Sequence, residues 1–202
     1  KYAKGNKNLK ISGIDMHIGS QILDVDPFKN AFKKIIDYTK KIEKLGIKIG
    51  NIDLGGGIGI NYISEDNPSL IKDYSDLINN VYKKLHKRII IEPGRYLVGE
   101  SGVLITKVIF KKKNENKNFL IIDAGMNDFM RPALYAAKHN IKKVDLENKN
   151  LPKLRYDIVG PICETADTFG ENVEFNKSIK AQDILYIEKV GAYGSVMSSH
   201  YN

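Results

Sequence analysis

Three short stretches of the chain carry residue types that can bind or transform a small molecule. They are "HIGSQ" at 17–21, "LGGGIG" at 54–59 and "EPGR" at 92–95. Consecutive glycines let the backbone approach a ligand closely and can direct several N–H groups at one anion. An arginine can hold a phosphate or carboxylate through two hydrogen bonds. These stretches therefore suggest a site for an anionic ligand.

The glycine loop does not match either common nucleotide-binding motif. A G-x-G-x-x-G motif that starts at Gly55 needs glycine at position 60, where the chain has Ile60. A P-loop needs Gly-Lys-Ser/Thr after the loop, and that sequence is missing. Two interpretations of Gly55, Gly56 and Gly57 remain open, an anion-binding nest and a tight turn after a strand.

The "EPGR" and "HIGSQ" stretches also have structural explanations. We expect Glu92 at the end of a buried strand, where a carboxylate needs a partner, and Arg95 could supply it within the fold. His17 could be a hydrogen-bonded core residue, since an isolated histidine at a strand end is usually structural. The chain's histidines lack metal-ligand spacing, so we expect no metal site.

The spacing of these stretches indicates how the elements position them. His17 and Gly55 are 38 positions apart, and Gly55 and Glu92 are 37 apart, which is one strand and one helix each time. A (β/α)8 barrel places its active-site residues at the ends of successive parallel strands with such a period. A doubly wound sheet does the same, so the open-sheet alternative stays.

Apolar periodicity predicts the individual elements of this half. One helix should begin with Asp26 as N-cap and Pro27 in its first turn, and end at Gly46. The run Ile89–Ile91 predicts a strand covered on both faces. A second helix should bury one face, formed by Leu70, Ile71, Tyr74, Leu77, Ile78, Val81, Tyr82 and Leu85.

The second half consists mostly of stretches with strand-like patterns. We therefore predict two domains, residues 1–98 as part of a barrel and residues 99–202 as a mostly β domain. "GVLITKVIF" and "NFLIIDAG" should form a hairpin, "RYDIVGPIC" and "DILYIEKVGAYG" further strands, and "MRPALYAA" a short helix. Two and a half βα units cannot close a barrel, and the chain starts without Met. We therefore expect either a fragment or a different fold.

Bulk composition narrows the class of protein. The chain has 202 residues and a formal charge of +8, but its lysines are dispersed and no nucleic-acid motif accompanies them, so we expect no nucleic-acid partner. No apolar run is long enough for a membrane span or a signal core. A single cysteine, Cys163, excludes an internal disulfide, and we expect a cytoplasmic protein.

Six stretches in order resemble a known family. "GIDMHIGSQ", "IDLGGGIGI", "IIIEPGRYLV", "MRPALYAA", "GPICETAD" and "GAYG…MSSHYN" are similar to diaminopimelate decarboxylases, pyridoxal-phosphate enzymes of the alanine-racemase-like fold. The resemblance implies an α/β plus β architecture, with part of a (β/α)8 barrel followed by a mostly β domain. Ornithine and arginine decarboxylases share the first three motifs in related form, and the last three distinguish them.

The resemblance also implies roles in binding pyridoxal 5'-phosphate. The glycine loop would surround its phosphate, His17 would lie against one face of its ring, and Glu92 would face the ring nitrogen. The residues implied to contact the cofactor are His17, Ser20, Gly55, Gly56, Gly57, Glu92, Gly94, Arg95 and Tyr193.

For the substrate, the resemblance implies that arginines bind the carboxylate of meso-diaminopimelate that is not lost. Cys163 would be the catalytic proton donor, reaching the active site of the partner subunit in a homodimer. The implied substrate-binding residues are Arg95, Arg131, Tyr135, Glu164 and Tyr193.

The implied activity is that of a carboxy-lyase that yields L-lysine and CO2, the last step of lysine biosynthesis. The lysine that forms the family's Schiff base lies upstream of the motifs found here, so the resemblance implies that this chain alone is inactive. Two alternatives stay open, a sister ornithine- or arginine-type decarboxylase and a non-catalytic homologue that binds pyridoxal phosphate.

Overall fold

The computed structural model describes residues 2–64, 68–144 and 151–202, without the side chains of Lys4 and Pro68. The chain forms two compact units. Unit 1 contains Lys1–Asn61 and Glu65–Tyr96, and unit 2 contains Tyr62–Ser64 and Leu97–Asn202.

Unit 1 is built from parallel strands that alternate with helices. Strands β1 (Gly13–Asp15), β2 (Asn51–Asp53) and β3 (Arg88–Ile90) pair in that order. All the pairs are parallel, with Ile52 beside both Ile14 and Ile89. The helices are α1 (Tyr2–Gly5), α2 (Asp26–Lys44), α3 (Pro68–Leu85) and α4 (Gly94–Val98), which continues into unit 2. The predicted βα pattern is confirmed.

Helix α2 follows the predicted apolar pattern, but its N-cap differs. Val25 is the N-cap, and the Lys29 N–H donates to its carbonyl at 3.0 Å. Val25 makes no side-chain capping bond, and the Asp26 N–H donates to Asp24 Oδ1 at 2.9 Å, so the predicted N-cap at Asp26 is wrong. The helix ends at Lys44, and Gly46 follows with φ 74°, a conformation that favours glycine.

Two predicted burial patterns are wrong in part. In α3, Leu70 and Val81 are buried as predicted, whereas Ile71 is 38% and Tyr82 54% exposed. Each lies one residue beyond a buried position, which rotates its side chain by about 100° away from the packed face. Ile91 lies one residue past the end of β3 and is 41% exposed, so the predicted cover on both faces is wrong at this position.

Over its described residues, unit 2 contains a six-stranded sheet and a short α-helix. The strands are β4 (Leu104–Lys113), β5 (Asn118–Ile122), β6 (Ile141–Lys143), β7 (Lys153–Val159), β8 (Thr168–Asn176) and β9 (Ile184–Ile187), in the order β6-β9-β4-β5-β7-β8. Helix α5 is Arg131–Tyr135. The predicted hairpin is the antiparallel β4–β5 pair, and the predicted short helix is α5.

Two strands of unit 2 are absent from the prediction. Strand β6 has only three residues, too few to show alternation. Strand β8 contains Gly170 and a left-handed Asn172 (φ 54°), and its pairing with β7 shifts register. Such irregular strands hide the period-two pattern from the sequence. Over the described residues, no helix combines the length and apolar character needed to cross a membrane.

Candidate functional site

The glycine loop lies against the backbone at the ends of both neighbouring strands. A Cβ on Gly55, which has φ 66°, would sit 2.2 Å from the Met16 carbonyl oxygen, and one on Gly56 would sit 2.1 Å from the Glu92 carbonyl oxygen. The Glu92 N–H donates to the Gly55 carbonyl at 2.8 Å. Close backbone packing therefore requires these two glycines, as the tight-turn interpretation predicts.

Two N–H groups of the loop are bonded inside unit 1. The Gly55 N–H donates to Asp53 Oδ1 at 2.9 Å, and the Gly56 N–H donates to His17 Nδ1 at 3.4 Å. The loop therefore does not offer all its N–H groups to one ligand. An anion-binding nest at this loop would not include the N–H groups of Gly55 and Gly56. Because Nδ1 of His17 accepts, the ring's proton is on Nε2, and the bond fixes the ring beside the loop.

An open region lies beside the loop, around Gly19, Ser20, Gly94 and Arg95. A Cβ on Gly19 or Gly94 would meet no atom within 4 Å. Arg95 donates to Ser20 Oγ from Nε at 3.3 Å and from Nη2 at 3.1 Å. A guanidinium held beside open space suits a phosphate or carboxylate, so the residues present fit the phosphate of a pyridoxal cofactor.

Glu92 is exposed in the structure, which corrects the expectation that it is buried. Its carboxylate therefore needs no partner to offset burial, and the argument that Arg95 must neutralise it within the fold no longer applies. Its peptide remains tied to the glycine loop through the bond to Gly55. Glu92 is thus an accessible carboxylate on a fixed backbone.

In unit 2, a buried carboxylate organises the loop that carries Cys163 and Glu164. Asp167 is 2% exposed and accepts from the N–H groups of Met126 at 2.6 Å and Ile162 at 2.7 Å. Burial raises the pKa of Asp167, although these two bonds oppose the shift. Asp167 therefore links the cysteine loop to the segment that precedes α5.

The two predicted site residues on this loop are accessible. Cys163 and Glu164 are both exposed. The Tyr201 hydroxyl donates to Glu164 Oε1, and this bond raises the pKa of Tyr201. The loop thus presents a thiol beside a carboxylate that can accept a proton or bind a cation.

Arg131 and Tyr135 begin and end helix α5 but differ in environment. Arg131 is 6% exposed, and its Nη1 lies 2.8 Å from His139 Nε2. Its Cζ lies 4.1 Å from the centre of the Tyr62 ring. Tyr135 is exposed. Arg131 is therefore a fixed cation, whereas the Tyr135 side chain is accessible.

Tyr193 lies in a loop with strict backbone requirements. Its φ is 58°, and a Cβ on neighbouring Gly194 would sit 2.3 Å from the Val190 carbonyl oxygen. Next to this loop is a cleft of about 700 Å³, whose lining includes Asp128, Phe129 and Ser195. The loop holds Tyr193 in an exposed position at the surface of unit 2.

Sequence reasoning missed four residues that support these groups: Tyr62, His139, Asp167 and Tyr201. Asp167 lies within the motif "GPICETAD", and this position could have identified it as a candidate site residue. Nothing in the spacing of Tyr62 or His139 from Arg131 predicts their contact. Among the described residues, no group of three or more His, Cys, Asp or Glu side chains could hold a metal ion.

Comparisons with known proteins give a consistent result. The family model for "Pyridoxal-dependent decarboxylase, C-terminal sheet domain" matches residues 21–191. A diaminopimelate decarboxylase of Aquifex aeolicus is 43% identical over 202 residues, covering 100% of this chain and 47% of the relative. The chain thus spans about half the length of the curated relatives it matches.

Solved structures show the same architecture. A diaminopimelate decarboxylase from Helicobacter pylori, complexed with L-lysine, matches with a TM-score of 0.91 and 44% identity, over 100% of this chain and 49% of that one. The diaminopimelate decarboxylase from M. jannaschi matches with a TM-score of 0.93 and 38% identity. The match covers 100% of this chain and 46% of that one. The predicted fold class, part of a barrel followed by a mostly β domain, is confirmed.

Proposed function

The chain belongs to the pyridoxal-dependent decarboxylases, and from this premise we propose that it is part of a diaminopimelate decarboxylase. The complete enzyme would remove CO2 from meso-diaminopimelate to give L-lysine, the last step of lysine biosynthesis. The observation that carries the proposal is 43% identity to a diaminopimelate decarboxylase along the whole chain.

Unit 1 would supply part of the cofactor site. Pyridoxal phosphate, when bound, accepts the electrons released as CO2 leaves. Arg95, Ser20 and Gly94 would hold its phosphate next to the glycine loop. His17, fixed by the Gly56 N–H, would lie against the ring. The accessible Glu92 carboxylate would face the ring nitrogen and keep it protonated.

Unit 2 would supply groups for the substrate. Arg131 would bind the carboxylate that is retained, because a guanidinium matches a carboxylate in shape and charge. Glu164 would accept from the distal ammonium, and Tyr135 and Tyr193 would complete the contacts. A substrate without a second carboxylate gains nothing from Arg131, which favours diaminopimelate over ornithine.

Cys163 would donate the proton that replaces CO2. Its position on an exposed loop supports a role in the active site of a partner subunit, since a buried thiol could not reach one. We therefore propose a homodimer. The loop's anchor at Asp167 would keep Cys163 and Glu164 in place. A cytoplasmic location is proposed with the biosynthetic role.

The test uses the complete protein loaded with pyridoxal phosphate. We expect L-lysine and CO2 from meso-diaminopimelate, and little product from ornithine or arginine. Arg131→Ala should weaken turnover of diaminopimelate selectively. Release of CO2 from ornithine or arginine but not from diaminopimelate would support a sister decarboxylase, and no product from any of them would support a non-catalytic homologue.

A further inference from the structure

We propose that His139 and Tyr62 are positioning residues that orient Arg131 and so set the preference for a substrate with a second carboxylate. This inference rests on the proposed function. The Arg131 cluster is defined here as Tyr62, Arg131 and His139, all within unit 2.

The hydrogen bonds of His139 determine its tautomer. Its Nδ1 lies 2.8 Å from the Glu188 carbonyl oxygen, which can only accept, so Nδ1 carries the proton. Its Nε2 then has a lone pair, 2.8 Å from Arg131 Nη1. A guanidinium can only donate, so the Arg131 N–H donates to Nε2. His139 therefore holds the arginine as a neutral acceptor.

Tyr62 restrains the guanidinium from a second direction. The Arg131 Cζ lies 4.1 Å from the centre of the Tyr62 ring, within the range of a cation–π contact. The Tyr62 and His139 rings are themselves 4.6 Å apart, and Phe129 packs edge-on against His139 at 4.8 Å. One contact fixes the direction of an N–H group and the other fixes the position of the cation.

The backbone keeps the cluster rigid at three points. Arg131 opens α5, where the Ala137 N–H donates to its carbonyl at 3.4 Å. Next to His139, the Asn140 carbonyl accepts from the Glu188 N–H at 3.0 Å, which extends the β6–β9 pairing. The Asn140 Nδ2 group donates to the Ile63 carbonyl at 3.1 Å, which ties down the segment that carries Tyr62.

The chemistry of the partners suits recognition of an anion. A carboxylate in place of His139 would also orient Arg131, but it would add a negative charge that competes with a substrate carboxylate. A neutral imidazole orients the cation without adding such a charge. Binding of a carboxylate is strongest when a guanidinium is held in the correct plane beforehand, because less conformational entropy is then lost.

The test compares two ligands that differ by a single carboxylate. L-lysine keeps the carboxylate that diaminopimelate retains, and 1,5-diaminopentane lacks it. Their dissociation constants are measured by calorimetry on the complete, cofactor-loaded protein. His139→Phe keeps an aromatic ring but removes the acceptor, and His139→Gln keeps an acceptor near the position of Nε2. His86→Phe is a control for the same substitution outside the cluster, since His86 lies in unit 1 and packs against a tyrosine ring, Tyr82 at 5.9 Å.

We expect His139→Phe to weaken binding of L-lysine about tenfold or more, as for the loss of one charge-assisted hydrogen bond. Binding of 1,5-diaminopentane should change less than about twofold, and His139→Gln should restore much of the loss. The KM for diaminopimelate should rise with little change in kcat. Tyr62→Leu, which removes the cation–π contact, should act in the same direction and provides a test if His139→Phe does not fold.

Four results would overturn the inference. If a folded His139 variant bound both ligands more weakly by the same factor, His139 would support the site generally. If the affinity for neither ligand changed, His139 would not orient Arg131. An effect of the same size from His86→Phe would show that the loss is not local. If the unaltered protein bound both ligands equally, the proposed function would fail, and the positioning role with it.

Discussion

Gly56→Ala is the substitution for which the structure gives the clearest expectation. The new Cβ would lie 2.1 Å from the Glu92 carbonyl oxygen, and ordinary contact begins at 3.4 Å, so one backbone segment must move by about 1.3 Å. That shift strains or breaks the 2.8 Å bond from the Glu92 N–H to the Gly55 carbonyl. Overpacking typically costs about 1–3 kcal/mol and a lost hydrogen bond about 1 kcal/mol. We expect a loss of about 2–4 kcal/mol.

Gly94→Ala is the matched control because its Cβ would meet no atom within 4 Å. It should change stability by less than about 1 kcal/mol, since only the backbone entropy of the unfolded chain changes. The assay is urea unfolding of the complete protein without cofactor, which separates packing from ligand binding. Cofactor affinity is then measured separately. Equal destabilisation by the two variants, or none by Gly56→Ala, would refute the packing argument for the glycine loop.

Three further predictions concern chemistry and charge. Cys163→Ala should cut turnover strongly while the cofactor absorbance persists, and unchanged turnover would make this thiol structural. Glu92→Gln should retain cofactor but slow decarboxylation, and a normal rate would remove Glu92 from its role. Burial alone would raise the pKa of Asp157, but its bonds to Lys117 (2.6 Å) and to a backbone N–H lower it overall. This lowered pKa stabilises the fold at neutral pH, and the stabilisation is lost as pH falls through the lowered pKa. Lys117→Met should therefore lower the melting temperature at pH 7 and matter progressively less below pH 4; a pH-independent effect would contradict the ion-pair explanation.

Parts of the fold could be predicted because local patterns determined them. The repeat of apolar residues in 28–36 specified α2, and Pro27 placed its first turn. The hairpin of β4 and β5 followed from two apolar runs around a polar turn. The irregular β8 escaped prediction because a left-handed residue and register shifts interrupt its alternation.

Some features of the candidate site could likewise be predicted from the sequence, and others could not. The glycine loop and "EPGR" could be identified as candidate anion-binding stretches, because this depends only on residue type and spacing. The exposure of Glu92 and the burial of Arg131 were not visible, since burial depends on what packs against a residue. The resemblance named Arg131 as a ligand-binding residue, but nothing in the sequence indicated which side chains hold it.

The sequence by itself determined the order of strands and helices in unit 1, the spacing of the motifs and the family to which they point. Periodicity and residue type are local properties, so they can be read without coordinates. Only the tertiary structure decided that the Met16 and Glu92 carbonyls exclude side chains at Gly55 and Gly56. It also decided that His139 and Tyr62 meet at Arg131. Such contacts join residues distant in sequence, and they depend on the path of the whole chain.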